Sequence, residues 1–148
     1  MSSSKPRYLL DLNVLIALGD PDHIHHNKVQ KWFIHSGKDD WGVCPLTEAG
    51  FVRLRTNPAY LGASRTVEQA TAILAGFAEH PGYRYWPITE SWSSLVAQFA
   101  DRIFGHRQVI DAYLFGLAVK ENGILVTLDR AISYLAGPQH RTNLLVLE

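Results

Sequence analysis

An α/β fold with a mostly parallel central sheet is what this sequence predicts, and three observations predict it. Short apolar runs at Tyr8-Leu9-Leu10, Ile124-Leu125-Val126-Thr127-Leu128 and Leu144-Leu145-Val146-Leu147 have the length and continuity of strands buried on both faces. Segments of helical periodicity lie between them, which calls for crossover connections. Asp11 and Asp129 each close one of these runs, so acids stand where strands end, at the rim where open α/β sheets bind ligands.

The elements follow in order. Tyr8 to Leu10 is the first strand, and Asn13 opens a helix of apolar residues through Leu18. Gly19-Asp20-Pro21-Asp22 is a turn and helix start, and Val29, Trp32 and Phe33 give the next helix, to His35, its apolar stripe. Trp41 to Pro45 is a short strand, and Thr47 is read as the cap of a helix to Thr56. Asn57 to Gly62 is a loop. Thr66-Val67-Glu68-Gln69 has capping-box spacing, starting a helix to Phe77. Tyr83 to Ile88 reads as an aromatic strand, and Ser91 starts a helix through Ile103. The helix from Val109 to Glu121 stops at Asn122-Gly123, and a short helix follows Asp129. With no repeat or linker, residues 1–148 are expected to form one domain.

Composition narrows the function. A chain of 148 residues with 47% hydrophobic and 19% charged content can bury a core. No apolar run reaches the about 18 residues of a membrane span, and the N-terminus lacks a signal peptide's apolar segment. Cys44 is the single cysteine, so a cytoplasmic location is expected. Lys+Arg 14 against Asp+Glu 14 excludes charge-driven coating of nucleic acid but leaves room for a local basic patch.

Glu48 and Asp111 join Asp11 and Asp129. Glu48 has Phe51, Val52 and Arg55 below it on one helix face; Asp111 has Leu114, Phe115 and Ala118. Carboxylates heading core-facing stripes are costly unless paired or metal-bound. Four acids drawn to one rim repel, and oxygen donors suit Mg²⁺ or Mn²⁺, which can activate water for phosphodiester hydrolysis. Asp11 and Asp111 are the expected metal ligands. Asn13 and Thr127 are expected to orient them. Arg55 and Arg107, together with Arg53, Arg102 and His106, are candidates to balance the acids and meet a substrate's phosphate. Arg55 lies about 10.5 Å along the helix axis from Glu48.

Leu10-Asp11-Leu12-Asn13-Val14-Leu15, Leu46-Thr47-Glu48-Ala49, Val109-Ile110-Asp111-Ala112-Tyr113-Leu114 and Val126-Thr127-Leu128-Asp129 together resemble the PIN domain, and within it the VapC-type toxin ribonucleases. The resemblance implies a single PIN-like domain, metal-dependent hydrolysis of RNA, Asp11, Glu48 and Asp111 as central acids, and Asp129 as the more variable fourth. It also implies a homodimer held in check by a VapB-type antitoxin. The apolar residues at Val29–Phe33 and Phe51–Leu54 are the expected docking surface.

Rival readings are a non-catalytic PIN-like binding module and a Mg-binding phosphotransfer or receiver-type domain. Asn13 breaks the Asp-x-Asp of haloacid dehalogenase phosphatases. His23, His25 and His26 lack the partners of a zinc site, so a solvated helix face is expected. Cys44 reads as a buried thiol, and the four tryptophans as core.

Overall fold

Tyr8, Leu9 and Leu10 are buried to the last residue because both faces of their strand are covered. Leu9 and Leu125 point into one apolar layer with Leu95, Phe99, Phe115 and Leu135. Tyr8, Leu10 and Val126 point into the opposite layer with Val14, Val29 and Phe51. Alternation along a strand thus feeds two cores, one on each side of the sheet.

A computed structural model describes residues 5–60 and 64–148. The described strands β1 (Tyr8–Leu10), β2 (Trp41–Gly42), β3 (Ile124–Thr127) and β4 (Leu144–Val146) form one sheet in the order β2-β1-β3-β4. Every pairing is parallel, with Leu9 opposite Leu125 and Leu10 opposite Val126. The α/β expectation holds, with a sheet parallel throughout.

Helices α1 (Leu12–Gly19), α2 (His26–Trp32), α3 (Pro45–Arg55) and α4 (Val67–Ala78) supply one layer. Helices α5 (Trp92–Val96), α6 (Val109–Lys120) and α7 (Ile132–Ala136) supply the other. The Thr66–Gln69 capping box forms reciprocally at the start of α4. Asn122 takes a left-handed φ of 58°, closing α6 so that Gly123 N–H reaches the Ala118 carbonyl at 2.8 Å.

Several expectations need correcting. The helix before His35 begins at His26, and its end widens into a π-turn over Phe33–Gly37. The Trp32 ring presses so closely on Gly37 that a Cβ there would lie 2.5 Å from it. Thr47 does not cap α3; the helix starts two residues earlier with Pro45 in its first turn, leaving Thr47 buried beside Cys44. The helix from Ser91 gives way to a 3-10 turn over Ala97–Arg102.

The strand expected at Tyr83 to Ile88 is reduced to one bridge, Trp41 to Tyr83. Bonds from Trp41 to Gly82, Arg84 to Trp41 and Trp86 to Val43 lay the segment along β2, whose short length limits the ladder. The expected Asn57–Gly62 loop turns through Tyr60, and Leu61 and Gly62 lie outside the described residues. So do Met1 to Ser4, where the N-terminal expectation begins. Of the apolar face expected to dock the antitoxin, Val29 and Phe51 are buried, whereas Trp32, Phe33, Val52 and Leu54 are partly exposed.

Candidate active site

The parallel order puts the ends of the two central strands side by side, and the acids collect there. Asp11 still donates its N–H to the Val126 carbonyl at 2.9 Å, so it is the last rung between β1 and β3. Its Oδ1 accepts from Leu12 N–H at 2.7 Å, capping α1. Its Oδ2 accepts from the Thr127 hydroxyl at 2.8 Å. Asp11 is therefore both cap and buried carboxylate, 7% exposed.

Thr127 joins the cluster. Besides donating to Asp11, its Oγ1 accepts from Asp129 N–H at 3.0 Å and from Asn13 Nδ2 at 3.4 Å. One donor and two acceptor positions exhaust a hydroxyl. Asn13 Oδ1 also accepts from Leu128 N–H at 3.2 Å, locking the turn after β3 to the first turn of α1. The orienting roles expected of Asn13 and Thr127 thus have contacts to match.

Asp111 sits half-buried in the first turn of α6. Burial pushes its carboxyl up to about 6, and the charges of Asp11 and Asp129 push the same way. Asp11 is also raised, first by burial, although its bonds from Thr127 and Leu12 offset this and Asp129 adds repulsion. Asp129 is exposed and caps the following turn through Ala131 N–H at 2.9 Å. The three aspartates line a cleft of about 350 Å³ with Leu12, Asn13, Ile16, His23, Leu54 and Tyr60.

Glu48 does not line this cleft. It faces a shallower groove of about 540 Å³ between α3 and α4, beside Val52, Leu74 and Ala78. Burial raises its carboxyl. Its charge acts on Tyr83, which burial first and Glu48 second push up to about 12. The expectation that Glu48 heads a core-facing stripe fails at its first residue: Phe51 and Arg55 below it are buried, but Glu48 and Val52 turn toward α4.

Arg55 is 9% exposed, 3.9 Å from Asp20 and over the Tyr60 ring at 5.2 Å, so its cation is engaged inside the protein. Arg107, His106 and Arg53 are exposed, whereas Arg102 is half-buried with Nη1 donating to the Leu135 carbonyl at 3.5 Å. Cys44 is buried, as expected, and so are Trp41 and Trp86; Trp32 is half-buried and Trp92 is 39% exposed, so the tryptophans are not all core. His26 Nδ1 lies 2.7 Å from the Ala17 carbonyl. Sequence reasoning missed His23, Leu54 and Tyr60 as cleft walls, since nothing in their spacing links them to the acids.

Among the described residues, no three His, Cys, Asp or Glu side chains are gathered closely enough to hold an ion as they stand. The donor chemistry nevertheless fits a hard cation. Three carboxylates share one rim, and two of them disfavour ionisation of the third. A divalent ion is what offsets such repulsion, and all-oxygen donors suit Mg²⁺ or Mn²⁺.

Comparison with known proteins agrees with this architecture. The model of the PIN domain matches residues 8–138. The chain is 40% identical over 127 residues to Ribonuclease VapC39 of Mycobacterium tuberculosis, a match covering 84% of this chain and 90% of that protein. Its fold resembles the crystal structure of M. tuberculosis VapC20, a sarcin-ricin loop cleaving toxin, with a TM-score of 0.62 at 13% identity, covering 90% of this chain and 97% of that one. It also resembles VapBC2 from Rickettsia felis, bound to a DNA fragment from its promoter, with a TM-score of 0.61 at 13% identity, covering 95% and 98%. With its four sequence blocks set around a parallel sheet and three aspartates lining one cleft, the chain belongs to the PIN-domain family, among the VapC ribonucleases.

Proposed function

We propose that this chain is an endoribonuclease that hydrolyses RNA phosphodiesters and acts as the toxin of a VapBC-type pair. The observation that carries the reading is the gathering of Asp11, Asp111 and Asp129 on the wall of one cleft. Such a cluster is poor design for a passive binding module, because its repulsion is compensated only by a cation. Identity of 40% to a curated VapC ribonuclease supports the same chemistry.

In this reading Asp11 and Asp111 hold Mg²⁺ or Mn²⁺, with Asp129 beside them. The ion supplies activation of water and stabilisation of the displaced oxygen. The chain's own residues set the stage. Thr127 and Leu12 N–H fix both oxygens of Asp11, so that carboxylate offers its remaining lone pairs in one orientation. In the metal-free protein Asp111 takes up a proton as pH falls through about 6, and it must be ionised to become a ligand. Asn13 holds the Leu128–Asp129 turn in place. Glu48, which faces the α3–α4 groove, is proposed as a further catalytic acid on its family match alone. Exposed Arg107 is proposed to meet RNA phosphate; the engagement of Arg55 with Asp20 and Tyr60 favours a structural part for that residue.

A homodimer, a VapB-type antitoxin and a cytoplasmic setting complete the proposal. Among the described residues no helix is long and apolar enough to cross a membrane. The decisive experiment incubates purified protein with RNA and Mg²⁺ or Mn²⁺. Cleavage by the wild type and none by Asp111→Asn is expected; equal cleavage by both would overturn the assignment.

A further inference from the structure

Phe104 and Tyr134 are large aromatic side chains left in solvent, 72% and 57% exposed. Their rings form a pair, centroids 5.7 Å apart and tilted by 43°. Neither ring lines the acid cleft, but each stands on a segment joined in sequence to one of its aspartates. Phe104 N–H is held by Gln108 Oε1 at 2.6 Å, and Gln108 leads directly into α6 and Asp111. Tyr134 stands in the first turn of α7, reached from the turn that Asp129 caps. Arg102 ties the two together by donating to the Leu135 carbonyl at 3.5 Å. The aromatic pair is thus anchored at both ends to elements that carry site acids.

Burying these rings in the core of this chain was open to the fold, since Phe99 and Phe115 nearby are buried. Exposure of two aromatics is costly enough to ask what covers them. The neighbouring surface supplies the answer. His106 and Arg107 follow Phe104 in one exposed turn. An apolar π-face beside cations matches unpaired RNA, which stacks bases on aromatic rings and places phosphates against basic side chains. A formally neutral chain, with no overall basic excess to hold a polyanion, depends on such local contacts.

Resting on the endoribonuclease reading, we propose that Phe104 and Tyr134 form a stacking platform for one unpaired base flanking the scissile phosphate. Arg107 neutralises the phosphate next to that base. The platform adds a preference for single-stranded RNA and fixes the register of the strand over the aspartates. Hydrolysis of the phosphodiester is unchanged by it, so the pair acts on binding and positioning.

The test uses the full-length protein and short single-stranded oligoribonucleotides, each with one abasic nucleotide stepped along the strand. Cleavage is followed at saturating and sub-saturating substrate. The Phe104→Ala/Tyr134→Ala variant is expected to raise KM by about 10-fold, within the range of one base–aromatic stack, with kcat nearly unchanged. Wild type should lose a similar factor at one abasic position, and the variant should be indifferent there. Phe104→Trp should restore binding. Both side chains are exposed, so the alanines leave the core intact; circular dichroism of the variant checks this. Unchanged KM in the double variant, with wild type cleaving normally, overturns the platform and leaves the ribonuclease standing. The same result with lost antitoxin co-purification reassigns the pair to protein docking and also overturns it. Absence of cleavage by wild type, with Asp111→Asn binding the oligonucleotides no differently after the alanine changes, overturns both proposals.

Discussion

The hydroxyl of Thr127 donates to Asp11 across 2.8 Å, joining residues 116 positions apart in sequence. That bond makes the geometry of one acid depend on the end of another strand. Thr127→Val keeps the shape but leaves Asp11 Oδ2, Asn13 Nδ2 and Asp129 N–H without their shared partner. Loss of one satisfied buried bond costs about 1–3 kcal/mol. RNA cleavage is expected to fall about 10- to 100-fold, in line with disturbed ligand orientation. Thr127→Ser should retain most of both stability and activity, and denaturant titration with initial rates would show it.

Asp11→Asn and Asp111→Asn are expected to reduce cleavage more than about 100-fold, as loss of a metal ligand does. Glu48→Gln is expected to lose at least about tenfold, the family match outweighing its place in the α3–α4 groove. Rates of each purified variant against a common RNA give the ranking. A wild-type rate for Glu48→Gln would remove it from the site.

The raised carboxyl of Asp111 has a definite sign for stability. An acid whose folded value, about 6, exceeds the ordinary aspartate value opposes folding once ionised. Metal-free protein is therefore most stable, as regards this group, below the lower value, and loses that contribution as pH rises through about 6. A rise of that size corresponds to about 3 kcal/mol, and partial exposure reduces this to about 1 kcal/mol. Asp111→Asn should be the more stable protein in chelator near about pH 8, with the gap closing near about pH 4. Thermal unfolding at both pH values decides it.

Chelation is expected to abolish cleavage, and added Mg²⁺ or Mn²⁺ to restore it. Bound cation should also raise the melting temperature of wild type, and less so that of Asp111→Asn. Because Asp111 must give up a proton first, the rise should grow between about pH 5 and 7. A melting temperature indifferent to the ion would contradict the ligand assignment.

Coexpression with a neighbouring small open reading frame is expected to relieve growth arrest and yield a co-purifying complex. Asp11→Asn should lose toxicity and keep the complex, because a carboxylate buried on two hydrogen bonds contributes little docking surface.

Much of this arrangement was legible in the sequence because it rests on continuity and periodicity. The buried runs at Tyr8–Leu10 and Ile124–Thr127, the Thr66 capping box and the aspartates at strand ends all register locally. What escaped depends on neighbours distant in sequence. The periodicity around Glu48 gives it a face, yet only the position of α4 decides that the face is a side groove. Tyr83 to Ile88 has strand composition, yet the two-residue β2 provides almost nothing to pair with. Tyr60 and His23 reach the cleft by turns that no repeat announces.

Strand order has a consequence for the moment of synthesis. β1 pairs with β3, so Asp11 waits for Thr127, made 116 positions later. A ribosome making this protein carries Asp11 outside long before Thr127 and Asp129 can join it. Until then the cleft has neither its hydroxyl hub nor its third carboxylate.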